Sequence, residues 1–216
     1  MSQLSRPKEY HPAHLVQSLK KRGPDLLKQF FRPRQPDLQL LVKSSVGANT
    51  FRAFHNLREK PSVIFRRWAF EYLDRTLEKL CRITTQSQYD QFHIATRNDL
   101  EKRWRQEGGK PLKLGWATKL TNLLLKEAMK CSDIPDSSRQ TLIPLLHVPH
   151  DLYCLAAIRE SARTGTPCLK IPAGAKMGFI KSPTQYQQLQ EIMRNIASQA
   201  KQPPICIDLL AWNDAH

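Results

Sequence analysis

Apolar residues recur along this chain at helical spacing, and proline and glycine cut the pattern into short lengths. The most regular stretch follows Pro61: in SVIFRRWAFEYLDRTLEKL, the residues Ile64, Phe65, Trp68, Tyr72, Leu73, Leu77 and Leu80 line one side of a 3.6-residue period. That spacing predicts a long core helix. Thr84 or Thr85 is placed to cap the next one, which runs through Tyr89, Phe92, Leu100 and Trp104 until Gly108-Gly109 stops it. Upstream, Leu15, Val16 and Leu19 mark a helix that Gly23-Pro24 interrupts; Pro24 restarts it with Leu26, Leu27, Phe30 and Phe31, and RPRQP then turns the chain. From Asp37, LQLLVKSSV reads as a helix that Gly47-Ala48-Asn49 breaks before TFRAFHNL resumes the pattern. Asp133-Ile-Pro-Asp-Ser-Ser reads as a loop, and Pro144 and Pro149 keep LIPLLHVPH from being one regular helix. Asp151 stands just before LYCLAAIRESA, where its side chain can cap a helix facing inward through Leu152, Leu155, Ile158 and Ala162. A loop runs from Thr164 to about Ser182, Pro183 opens a polar helix, and Pro203-Pro204 precedes a last short one, ICIDLLAWN. Strand signals are weak throughout, so the expected fold is all-α.

The chain has 216 residues, enough for one domain or a pair of subdomains sharing a core, with 34 Lys and Arg against 19 Asp and Glu, a net charge of +15. No apolar run approaches the ~18 to 20 residues that span a bilayer, and the start MSQLSRPKEY lacks the apolar stretch of a signal peptide. A soluble, intracellular, cytoplasmic protein is expected. The cysteines at 81, 131, 154, 168 and 206 are scattered, with no CxxC pair, which suits reduced thiols better than a disulfide frame or zinc site. The charge surplus, including runs such as Lys20-Lys21-Arg22, Arg66-Arg67 and Lys102-Arg103, calls for a polyanionic partner, with nucleic acid ahead of membrane.

Chemistry concentrates in the middle of the chain. A turn at Leu114-Gly115-Trp116-Ala117-Thr118 is expected, then Lys119 in the first turn of a helix, then Val148-Pro149-His150-Asp151 before another helix. A helix, a tight turn and a second helix can aim free amides at a phosphate, and an amine near a carboxylate offers a nucleophile with an electrostatic partner. These residues resemble the helix-hairpin-helix DNA glycosylases. Val148-Pro149-His150-Asp151 matches their VPxD segment, and Leu114 to Lys119 is a degenerate match to the hairpin, with Trp116 and Ala117 where a second glycine is usual. The 32 residues from Lys119 to Asp151 are similar to the spacing in the archaeal 8-oxoguanine DNA glycosylases, as is the segment Asp208-Leu-Leu-Ala-Trp212. In size and in its lysine and Pro-x-Asp arrangement the chain also resembles small glycosylases of bacterial antiphage defence.

The resemblance implies two helical subdomains flanking a cleft, in one glycosylase domain over 13–216 behind a basic arm at 1–12. The hairpin would lie at about 108–130, the Pro-x-Asp segment at 148–151 and the C-terminal helices at 183–213. It implies a monomer, associated with the nucleoid of a prokaryotic cell, acting on double-stranded DNA without metal or other cofactor. A modified base would be flipped out; an ionised Asp151 would stabilise the oxocarbenium-like sugar, and Lys119 would be the nucleophile of any lyase step. Trp212 and Asp208 would hold the base, with Phe51, Asn49 and His150 near it, while Lys113, Gly115, Trp116 and Thr118 would grip the DNA backbone. His147 and His150 tempt a metal reading but lack a third ligand at helical spacing. The base is either an oxidised purine such as 8-oxoguanine or the glucosylated hydroxymethylcytosine of T-even phage DNA. The rival expectations are a non-catalytic DNA-binding or adaptor protein using the same hairpin, and an RNA-binding protein.

Overall fold

The computed structural model describes residues 7–32, 37–165 and 168–216. The first six residues of the expected arm and most of the RPRQP turn lie outside them. Among the described residues there are ten α-helices and no strand, so the all-α expectation holds, and no helix is long and apolar enough to cross a membrane. The expected single domain divides into two compact units: Met1–Arg32 with Leu146–His216, and Pro33–Leu145.

In the first unit, helix α1 (Pro12–Phe30) runs unbroken through Gly23 and Pro24, against the expected interruption. Proline inside a helix forfeits one backbone bond and clashes with the preceding turn. Here the helix is held from outside, because Leu15 and Leu19 are fully buried and a Cβ on Gly23 would lie 2.9 Å from Gln202 Oε1, so the glycine lets the Gln202 side chain close in.

The second unit begins with α2 (Leu38–Ser45), whose cap Asp37 accepts from Gln39 N at 2.7 Å, and a single turn, α3 (Ala48–Phe51). TFRAFHNL does not resume a helix past Phe51; its aromatics turn inward instead, Phe51 against Phe65 and Phe54 against Trp104. The long helix α4 (Pro61–Cys81) matches its expectation, burying Ile64, Phe65, Trp68, Tyr72, Leu73 and Leu80. Helix α5 (Gln86–Gly108) opens on a capping box, in which Thr85 accepts from Gln88 N and the Gln88 side chain accepts from Thr85 N. It packs on α4, where Trp68 Nε1 donates to Asp99 at 2.7 Å and Tyr72 pairs with Thr96 at 2.9 Å. Helix α6 (Leu114–Ala128) packs on α2 and α5. Its successor α7 (Asp136–Leu142) occupies the second half of the expected DIPDSS loop, because Pro135 fixes its entry and Arg139 locks it. The buried Arg139 guanidinium donates to the carbonyls of Met129, Cys131 and Ile134. A 3-10 turn, Ile143–Leu145, ends the unit.

The chain returns to the first unit with α8 (Leu152–Thr164), α9 (Pro183–Ala200) and α10 (Cys206–Asn213), all packed against α1. The described part of the basic arm is tied down. Lys8, Tyr10 and Arg22 all donate to the Asp214 carboxylate that follows α10. Burial pushes that carboxyl up, but the three donors outweigh it and hold it at about 2. The five cysteines are free thiols.

Candidate active site

Asp151 owes its position to a buried glutamine. The Gln190 side chain, 2% exposed on α9, accepts from Val148 N at 3.0 Å and donates to Val148 O at 2.9 Å, so one amide satisfies both backbone groups of an irregular buried segment. His147 Nδ1 meets Tyr186 Oη at 2.9 Å, and the His150 ring stands edge-on to Tyr186 with centroids 5.1 Å apart. Burial, with the neighbouring His147, lowers His150 to about 3, so it is a neutral, enclosed ring. With 147–150 fixed, Asp151 takes an extended backbone (φ −112°, ψ −173°), and its Oδ1 accepts from Tyr153 N and Cys154 N, both at 3.0 Å. The carboxylate sits where the dipole of α8 favours negative charge, and Asp151 is 9% exposed.

A second carboxylate stands beside it. Asp208, in the first turn of α10 and 4% exposed, accepts from Cys154 Sγ at 3.4 Å. Donor atoms of Asp151, Cys154 and Asp208 lie within 4.8 Å of one another. Their atoms could enclose a cation, although the thiol already hydrogen-bonds to Asp208. Cys154 is absent from the expected site residues, although its place three residues after Asp151 is where a capped helix turns its third residue back toward the cap.

The structure thus brings Asp151 and Asp208 together, with the Asp208 carboxylate buried on α10 and engaged by a thiol of α8. His150 is likewise enclosed and removed from base contact. Trp212 is 51% exposed and stacks on His216 at 4.0 Å, edge-on to Tyr153, so it is a surface aromatic.

Lys119 is half-buried in the Pro33–Leu145 unit, on the second turn of α6. The expected turn at 114–118 is not there, because α6 begins at Leu114 and its Trp116 and Ala117 amides donate to Lys113 O. The turn lies earlier. Gly109 adopts φ +76°, a left-handed conformation that glycine reaches without strain, and ends α5, while Lys113 is the extended residue before α6. Gly115 and Thr118 are therefore buried helix residues, the Thr118 hydroxyl donating to Gly115 O at 3.2 Å. Trp116 packs edge-on against Phe54 at 4.4 Å, and its Nε1 is buried. Of the four expected backbone contacts only Lys113 is exposed. Phe51 is a core residue at 7% exposure, and Asn49 is exposed on α3. Compared with known proteins, the chain matches no family model, no curated sequence and no solved structure.

Proposed function

We propose that the protein is a DNA glycosylase, which flips a modified base out of duplex DNA and cleaves its N-glycosidic bond to leave an abasic site. The observation that carries this reading is the Asp151 carboxylate. It follows the Val-Pro-His segment, is fixed by two amides at the start of α8, and has Cys154 and Asp208 beside it. A rigid anion at a helix start suits a reaction in which positive charge develops on a sugar, because its field needs no reorganisation as the bond breaks. The electron pair of the C1′–N bond leaves with the base, the sugar becomes oxocarbenium-like, and Asp151 stabilises it. Water then adds at C1′ and releases its proton to solvent; a lyase step, whose nucleophile the glycosylase resemblance assigns to Lys119, is judged by trapping. The net charge of +15 suits a polyanionic substrate. The substrate base is a hypermodified phage pyrimidine, such as glucosylated hydroxymethylcytosine, or an oxidised purine.

One observation favours a second reading, a non-catalytic DNA-binding protein: the two amide bonds of Asp151 are those of an ordinary helix cap. Base release separates the two. Duplexes carrying candidate bases, and T-even phage DNA, are incubated with the protein and released bases are read by mass spectrometry. Asp151→Asn, which keeps a good capping side chain, should lower release by about 10²- to 10³-fold while salt-sensitive DNA binding persists. Borohydride trapping that disappears in Lys119→Gln marks the lyase route. Absence of any released base across the panel would sink the enzyme reading and leave the binding one.

A further inference from the structure

We infer that the Pro33–Leu145 unit carries a second phosphate-binding segment, residues 52–60, which joins the turn at 109–113 to form one basic strip for the backbone of duplex DNA. The choice of duplex DNA rests on the glycosylase reading; the strip itself rests on the following contacts.

Two stretches far apart in sequence meet here. Arg58 N donates to Gly108 O at 3.1 Å, and the Arg58 side chain lies over Gly109, where a Cβ would come within 2.7 Å of Nε. Leu57 closes on Gly108, and Phe54 is wedged against Trp104 on α5 and Trp116 on α6. The 52–60 segment is therefore fixed on the α5–α6 turn by an apolar anchor and a backbone bond. What it leaves outside is positive: Arg52, Arg58 and Lys60 from one stretch and Lys110 and Lys113 from the other are all exposed.

Those cations differ from several arginines of the same unit. Along α4 and α5, Arg67 and Arg103 share Glu107, Arg103 also reaches Glu71, and Arg75 and Arg97 meet Asp99 and Glu101, while Arg66, Lys79, Lys102 and Arg105 make no ion pair among the described residues. Among the described residues no ion pair is made by Arg52, Arg58, Lys60, Lys110 or Lys113. Glu59, the one acid in the 52–60 stretch, turns its carboxylate to the Lys60 backbone amide at 2.7 Å. Neither α4 nor α6 carries an acid in its first turn, and their N-cap residues are Lys60 and Lys113. Like charges gathered at positive helix ends repel one another. An external row of anions relieves that repulsion, and regularly spaced phosphodiesters are such a row.

The test compares two full-length triple variants with equal loss of charge. The strip variant is Lys60→Gln, Lys110→Gln, Lys113→Gln; the control, with exposed lysines elsewhere in the unit, is Lys43→Gln, Lys79→Gln, Lys102→Gln. Binding of an unmodified duplex is measured as a function of salt. The strip variant should lose about 3 from the slope of log K against log salt, with the control close to wild type. Equal slopes in the two variants, with matching thermal melts, would overturn the strip. So would a strip variant that loses binding to single-stranded RNA or to phosphatidylserine vesicles while keeping duplex affinity. Base release is scored on the same samples: a strip that binds with no base released by wild type leaves the strip standing and the glycosylase reading overturned, and the converse outcome does the reverse.

Discussion

Helices α8 and α6 begin alike and are finished differently. Each follows an extended residue, Asp151 in one case and Lys113 in the other. At α8 the positive end of the helix is answered from within, because Asp151 folds its carboxylate onto the Tyr153 and Cys154 amides. At α6 the corresponding side chain is a cation that makes no cap bond and stands in solvent. Asp37, Thr85 and Ser182 cap α2, α5 and α9 as Asp151 caps α8, and Gly109 closes α5 in the left-handed conformation. The starts of α1, α3, α7 and α10 have no side-chain cap bond either, but among the described α-helices only at α4 and α6 is the residue before the helix a lysine, which adds a positive charge to a positive helix end. The same electrostatic resource holds a carboxylate at α8 and is answered by no side chain at α6.

The strongest way to break this comparison is Asp151→Ala. If the carboxylate has a structural duty as well as a chemical one, the alanine variant loses about 1–2 kcal/mol of unfolding free energy, read by urea titration, whereas Asp151→Asn stays within about 0.5 kcal/mol of wild type. An alanine variant as stable as wild type would mean that the two amides are satisfied without it, and α8 and α6 would no longer differ in kind.

That difference was half legible in the sequence. The start of α8 could be read because everything that makes it is local: an extended Pro-His pair, then an acid, then apolar residues at helical spacing. The same holds for α4 and for the Thr85 cap. The start of α6 was misplaced because Gly115 looks like a turn residue, while the turn belongs to Gly109, whose positive φ is the conformation that needs glycine. Pro24 was misread for a different reason, since the packing of α1 through Leu15, Leu19 and Gly23 overrides a local breaker. The contact of Asp208 with Cys154 and the anchor of Arg58 on Gly108 are illegible in the sequence because both are fixed by tertiary packing that no spacing rule encodes. No local pattern marks Asp214, because Lys8, Tyr10 and Arg22 reach it across almost the whole chain.

Asp214 extends the comparison to the opposite pole. It stands at the C-terminal end of α10, where the dipole disfavours an anion, so its charge depends on the donors around it. Its folded carboxyl titrates at about 2 against an ordinary 3.8. A depressed folded value means the stabilisation is complete above pH 4 and is lost as pH falls toward 2. Solvent screening limits it to about 1 kcal/mol. Melting temperatures of wild type and Asp214→Asn, taken from pH 5 to pH 2, should therefore converge as the solution is acidified. A constant gap would show that the donors hold the carboxyl group by shape and not by charge.

The smallest effect has the opposite sign. Lys113→Asp gives α6 the cap it lacks, since residue 113 already has an extended backbone (φ −70°, ψ 143°) of the kind capping residues adopt. The variant should gain about 0.5–1 kcal/mol of stability, from the new bond to a first-turn amide and from a favourable charge at the helix end. It should lose duplex affinity at the same time, because a phosphate near that end would meet a carboxylate instead of an amine. Calorimetry and a salt titration of DNA binding on one preparation read both. A gain in melting temperature with weaker binding marks Lys113 as a residue kept for its partner at a cost to the fold. A gain with unchanged binding would mean that the lysine at the start of α6 serves no phosphate, and no gain would mean that the start of α6 was already as well satisfied as that of α8.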